Sequence, residues 1–183
     1  MGDTRTEILR LGEALIRTKG YQGFSYRDIA APLQVRNAAV HYHFSTKAEL
    51  GVAVLVRART ALQAATEAWA ALPFRAQLEH FMNTYEESKR RNWVCLMGAL
   101  LPVYDTLPTA LQHELTLLHR DMLDWLTDLL QRGHEASAFR FSLPARTQAH
   151  LTVASLLASL LLQKSATDED PFATIKEGLI QSI

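Results

Sequence analysis

The stretch GYQGFSYRDIAAPLQVRNAAVHYHFSTKAELG, residues 20–51, decides how the rest of the chain is read. Ser25 followed three residues later by Asp28 marks a helix start of the capping-box kind. The hydroxyl and the carboxylate can each satisfy a backbone N–H that a first turn leaves without a partner. A short helix through Ile29, Ala30 and Leu33 follows, breaks near Gln34 and Val35, and gives way to a second short helix from about Asn37 to Phe44. Thr46 and Glu49 make another capping box and open a longer helix through Leu50, Val54, Ala58, Ala61, Ala65 and Trp69. Two short helices joined by a few residues, with a preceding helix to complete a small core, have the outline of a helix-turn-helix unit over residues 25–44.

Within that unit Ile29, Ala30, Leu33, Val35, Val40 and Phe44 are apolar at the spacing that packs two crossing helices, which leaves Arg36, Asn37, Ala38, Ala39, His41, Tyr42 and His43 on the surface. The small Ala38 and Ala39 allow close approach to base edges, and an alanine can meet a thymine methyl. Arg36 and Asn37 can bond bases or phosphates. Tyr42, His43 and Lys47 suit phosphate contacts, and the capped helix start places Ser25, Tyr26 and Arg27 beside the nucleic-acid backbone. His41 and His43 lie two apart on a helix and so point to different faces, unlike the i, i+4 pair of a zinc site, and no metal is expected there.

Outward from this unit the chain reads as helices. Before it, Thr4 and Glu7 form a capping box ahead of Ile8, Leu11, Leu15 and Ile16, with Gly20 at the C-cap. After it, Pro73 ends one run, and a stripe of Phe74, Leu78, Phe81, Met82 and Tyr85 finishes at Lys89, Arg90 and Arg91, which suit a helix C-terminus or a solvated face. A short piece spans Cys95 to Tyr104. Pro108 opens a long helix through Leu111, Leu115, Leu118, Met122, Trp125 and Leu129, closed by Gly133. Pro144 opens an apolar helix, and Asp170 before Pro171 caps a last one carrying Phe172, Ile175, Leu179, Ile180 and Ile183. That stripe runs to the final residue, so a longer native chain stays open. The expected fold is all-α: an N-terminal three-helix helix-turn-helix domain, residues 1–50, and a C-terminal helical body, residues 51–183. No flexible linker separates them; the boundary lies along the helix of residues 47–72, a connection stiff enough to transmit a movement.

The 183 residues, 48% of them hydrophobic, supply ample core, and nineteen basic residues balance nineteen acidic ones, so no global field draws the chain to nucleic acid or to a membrane. DNA contact must be local. Residues 1–50 hold seven basic and five acidic side chains, and so weakly basic a head needs dimerisation to sum two half-site contacts. A single cysteine, Cys95, excludes an internal disulfide and suits the cytoplasm. The N-terminus lacks a signal peptide's apolar stretch, and the longest apolar run, Leu151 to Leu162, is 12 residues against the roughly 20 that span a bilayer.

The segment 20–51 resembles the signature of the TetR family of regulators. Gly20, Phe24, Ser25, Ile29, Ala30, Val35, His43, Phe44, Lys47, Glu49 and Leu50 carry the resemblance, which covers about the first 55 residues. It implies that the two short helices enter the major groove, with Tyr42, His43 and Lys47 on phosphates. Three positions depart from the pattern: Gln34 for a turn glycine, Ala38 for a common glycine, and His41 for a tyrosine. Pro32 inside the second helix implies that this helix is short or bent. GHEASAFRF, residues 133–141, resembles the family's glycine-rich hinge with Ser137 at a usual glycine. It implies that residues 143–183 form a four-helix dimer interface, a role their apolar stripes also suit.

The body offers a ligand site. Phe81, Met82, Tyr85, Trp93, Met97, Tyr104, Met122 and Trp125 could line a mostly apolar cavity with His119 or His150 as a polar contact, or could be plain core. Cys95, also counted among the candidate ligand-site residues, is either a buried small hydrophobe or a thiol open to modification, given the basic run before it. The expected function is a dimeric repressor that binds a pseudo-palindromic operator and is released by a small apolar ligand. His113, His119, His134 and His150 could make an acid/base set, but no nucleophile motif, phosphate loop or metal cluster accompanies them, so neither enzyme activity nor a cofactor is expected. The alternatives are a helical carrier or enzyme with a vestigial helix-turn-helix, and a scaffold that only oligomerises.

Overall fold

The computed structural model describes residues 3–183, and among them the regular structure is helical throughout: α1 (Thr4–Lys19), α2 (Tyr26–Leu33), α3 (Asn37–His43), α4 (Lys47–Trp69), α5 (Phe74–Arg90), α6 (Leu96–Leu100), a 3-10 turn (Leu101–Thr106), α7 (Thr109–Glu135), α8 (Ala145–Leu162) and α9 (Pro171–Ser182). The caps largely follow the sequence. Asp28 accepts the N–H and the hydroxyl of Ser25, both at 2.8 Å, and Asp170 accepts the Ala173 N–H at 3.0 Å. Two boxes differ. α1 begins one residue early on Asp3, whose carboxylate accepts the Arg5 N–H, so Thr4 is already helical and Glu7 turns to Arg10 instead. At α4, Thr46 accepts the Glu49 N–H, but the Glu49 carboxylate reaches back past Thr46 to the N–H and hydroxyl of Ser45.

Gln34 ends α2 in the left-handed region at φ 55°, where its N–H and that of Val35 close on the carbonyls of Ala31 and Ala30. Pro32, next to last in α2, deprives the Asp28 carbonyl of its in-helix donor, and the helix stops at eight residues. An L-residue in this region costs about 1–2 kcal/mol, part of which glycine's greater unfolded freedom offsets. Gln34→Gly is therefore expected to stabilise the protein by about 0.5–1 kcal/mol, a rise of about 1–4 °C in Tm by calorimetry. A fall in Tm would mean that the Gln34 side chain contributes more than the backbone loses.

Gly133 does not close its helix. α7 continues to Glu135, and the chain reverses at Ser137, φ 59°, with the N–H groups of Ala138 and Phe139 on the Gly133 carbonyl. The missing side chain of Gly133 makes room for the Phe139 ring, which a Cβ there would meet at 2.2 Å. Ser137 and Gln34 both hold a conformation that glycine adopts without cost.

Two further glycines set the helix crossings. Against Gly12 of α1 lies Leu50 of α4, and against Gly51 of α4 lie Leu111 of α7 and Tyr21. Ile8, Ile16, Ile29, Val40 and Leu50 thus join Leu111, Leu115, Phe81, Leu126, Leu156 and Phe172 in one continuous buried cluster that does not stop at residue 50. Arg59 adds a polar tie between α4 and α7, donating to Asp121 at 2.9 and 2.8 Å and to Glu114 at 3.0 Å. α8 packs between α7 and α9 while presenting Leu151, Leu161 and Leu162 to solvent at 42–52% exposure. No helix among the described residues is long and apolar enough to cross a membrane.

Candidate DNA interface and ligand cavity

α3 lies across the surface of the α1–α3 head, held by Val40 and Phe44, which are buried. Arg36, Asn37, Ala38, His41 and Tyr42 are exposed, Ala39 and His43 half-buried, and Tyr42 stands out at 86% exposure with its ring edge on His43. From α2, Ser25 and Arg27 are exposed on the same unit. Arg27 and Arg36 enter no ion pair among the described residues, so their charge is open to a polyanion. Ser25 is already engaged by Asp28, whose carboxyl is pulled down to about 2 by the Ser25 N–H first, then by its hydroxyl and by Lys19. One basic residue that the sequence did not single out is Arg5, whose guanidinium covers the Phe44 ring at 4.9 Å.

Tyr26 and Lys47 sit differently from expectation. Tyr26 is buried at 8% exposure and its hydroxyl donates to the Phe44 carbonyl at 2.9 Å. Burial first, then the charge of Glu49, pushes that hydroxyl up to about 12. Tyr26 fastens α2 to the end of α3 and is not at the interface. The signal was its i, i+3, i+4 register with Ile29 and Ala30, which puts it on the buried face. Lys47 donates to the Phe24 carbonyl and lies over the rings of Phe24 and Tyr21, with burial lowering its pKa. In this state its ammonium is engaged inside the head rather than extended outward.

In the body a cavity of about 410 Å³ opens among α1, α4, α5, α6 and α7, within the size range of small-molecule sites. Phe81, Tyr85, Cys95, Met97 and Met122 line it as expected, joined by Leu62, Trp69 and Leu118. The other expected residues do not. Phe81, Tyr85 and Ser88 share the face of α5 turned to the cavity, and Met82, one position round the helix, is fully buried in the core instead. Trp125 backs the wall, its ring 5.5 Å from Phe81 and 5.9 Å from Trp69. Trp93 lies outside, between the guanidinium groups of Arg17 and Arg91. Tyr104 bonds Thr116 at 3.1 Å. His119 and His150 face each other at 6.5 Å, away from the lining.

The thiol of Cys95 accepts the Gly98 N–H at 3.3 Å, and burial raises its pKa. A neutral thiol is a weak nucleophile, which favours the lining role over the reactive one. The Tyr85 hydroxyl, fully buried against the Met122 sulfur, is pushed well above its usual range by desolvation.

The mouth of the cavity is polar and was not legible in sequence. Glu13 of α1 accepts from Arg17 Nε at 2.7 Å and from Arg57 of α4. Arg17 also reaches the Val94 carbonyl at 3.4 Å, and the Val94 N–H donates to the Arg17 carbonyl at 3.3 Å. The head's first helix is thereby tied to the segment that carries Cys95 and to α4. Among the described residues no group of three or more His, Cys, Asp or Glu side chains is placed to hold a metal.

An exposed short helix on a three-helix head, set ahead of an all-helical body, has the architecture of a helix-turn-helix DNA-binding protein. Residues 8–54 match the model of the bacterial regulatory proteins of the tetR family. A TetR-family transcriptional regulator from Agrobacterium tumefaciens has the same fold at TM-score 0.89 and 25% identity, over 98% of this chain and 97% of that one. A TetR regulator from Legionella pneumophila matches at TM-score 0.88 and 25% identity, over 100% and 98%. AibR, solved in complex with isovaleryl coenzyme A and operator DNA, shares the fold at TM-score 0.71 and 17% identity, over 97% and 96%. No curated protein sequence matches the chain. Residues 8–54 are thus a TetR-type DNA-binding domain, carried on a chain that shares the fold of TetR-family transcriptional regulators.

Proposed function

We propose that the protein is a repressor that binds a pseudo-palindromic operator as a homodimer and is released when a small, mostly apolar molecule fills the body cavity. The observation that carries this reading is the shared boundary between cavity and head: Glu13 and Arg17 belong to α1 and also line the cavity. A molecule that displaces them must shift α1, and through it α2 and α3. The ligand must prefer the head position that does not fit DNA, since equal affinity for both positions shifts nothing. AibR, solved in complex with isovaleryl coenzyme A and operator DNA, supports the pairing of a small-molecule ligand with DNA binding on this fold.

Dimerisation through residues 143–183 is supported by the apolar outer face of α8, where Leu151 and Leu162 stand three turns apart on one side, and by Gly178 of α9, around which a side chain would meet open space. A closely approaching second copy would cover both. Residues 1–50 act as the DNA-binding part and 51–183 as the sensing and dimerising part, working in the cytoplasm without catalysis. Fluorescence anisotropy with DNA from upstream of the protein's own gene, against a scrambled duplex over a salt series, tests the reading. Saturable, salt-dependent preference for the upstream DNA is expected. Equal weak binding to both by an intact dimer would overturn autoregulation.

A further inference from the structure

The cavity is not uniformly apolar. Its interior is built from Leu62, Trp69, Phe81, Leu118 and Met122, while its mouth holds Arg17 and Arg57 with the single carboxylate of Glu13 between them. These three side chains are mostly shielded, at 16–35% exposure, so the second arginine's charge is only partly compensated where solvent screening is reduced. Glu13 already occupies the place that an external carboxylate would take, accepting from both guanidinium groups.

We propose that the ligand is an amphipathic anion whose apolar tail fills the cavity and whose carboxylate replaces Glu13 on Arg57 and Arg17. This rests on the reading of the cavity as the effector site and names what enters it. Arginine suits the exchange because its planar fork takes a carboxylate through two parallel bonds. The tail makes the binding favourable through burial of apolar surface. The head group then competes for the bonds that join α1 to α4. A neutral ligand of the same shape would fill the cavity and leave that junction closed, so the negative charge is what converts occupancy into movement of the head.

The test uses the 183-residue chain and the probes decanoate, 1-decanol and decylamine, each below its micelle or solubility limit, with ligand binding followed without DNA by tryptophan fluorescence and calorimetry and release followed by anisotropy of operator DNA. Trp69 in the wall and Trp93 beside Arg17 report occupancy. Decanoate is expected to bind at least tenfold tighter than 1-decanol, and decylamine weakest, the gain of a charged hydrogen bond over a neutral one. Arg57→Gln should lower decanoate affinity about tenfold while leaving 1-decanol unchanged, and Glu13→Gln should raise decanoate affinity, because it removes the internal competitor. A purely structural role for the mouth would move both variants in the same direction. Binding led by 1-decanol or decylamine, or absent for all three probes, overturns the proposal. Decanoate that binds in the expected order yet leaves operator affinity unchanged would leave the ligand class standing and defeat the release mechanism instead.

Discussion

Arg36→Glu is expected to weaken operator binding by roughly thirtyfold to ten-thousandfold while leaving the fold and the dimer intact. Arg36 is exposed at the start of α3 and enters no ion pair among the described residues, so its replacement removes nothing from the core. A base or phosphate contact from arginine is worth about 1–3 kcal/mol, and a dimer loses it twice, about 2–6 kcal/mol in all. Each 1.4 kcal/mol is about tenfold, and the new carboxylate adds repulsion from the phosphates. Anisotropy with operator DNA, alongside circular dichroism and light scattering, checks the three parts together. A variant that keeps wild-type affinity would remove α3 from the interface.

The second large effect concerns the outer face of α8. Leu151→Glu combined with Leu162→Glu places two carboxylates on one apolar side, where a partner copy would have to desolvate them. Both leucines are about half exposed, so the single chain should keep its fold. Light scattering is expected to give a mass near 20.5 kDa, that of one chain. Linked binding of two heads gains about a hundredfold to ten-thousandfold over one, so operator affinity should fall by that factor. A double variant that still runs at twice the chain mass would place the dimer contact elsewhere.

The two predictions differ in how openly the sequence announced their residues. Arg36 and its neighbours were legible because α3 is local: caps, apolar spacing and a family signature fall within about thirty residues. Helix order and most boundaries were legible for the same reason, since Pro and Asp write helix starts into the chain. Tyr26 went wrong because a tyrosine at a helix start suits either a phosphate or the core. What settles it is an acceptor eighteen residues on, the Phe44 carbonyl. The mouth of the cavity lay further from reach. Glu13 and Arg17 read as an ordinary i, i+4 pair on an amphipathic helix, and only the crossing of α1 with α4 and the approach of Val94 turn them into cavity lining. Gly133 shows the same limit: a glycine near a helix end suggests a stop, while the Phe139 ring that explains it is a tertiary fact.

The glycine crossings bear on how far the two parts can be exchanged. Gly12 receives Leu50, and Gly51 receives Leu111 and Tyr21, so the seam between head and body is a set of interlocked shapes and no bare linker. A chimera joined at residue 50 would cut α4 between Leu50 and Gly51 and set Tyr21 of one parent against Gly51 and α7 of the other, leaving misfit where head meets body. Grafting another regulator's DNA specificity onto this body should therefore succeed only if the surface of α3 is transplanted residue by residue, with α1 and the first turns of α4 kept as they are. Diversification of such a regulator is thus easier at the outer face of one short helix than by shuffling whole domains.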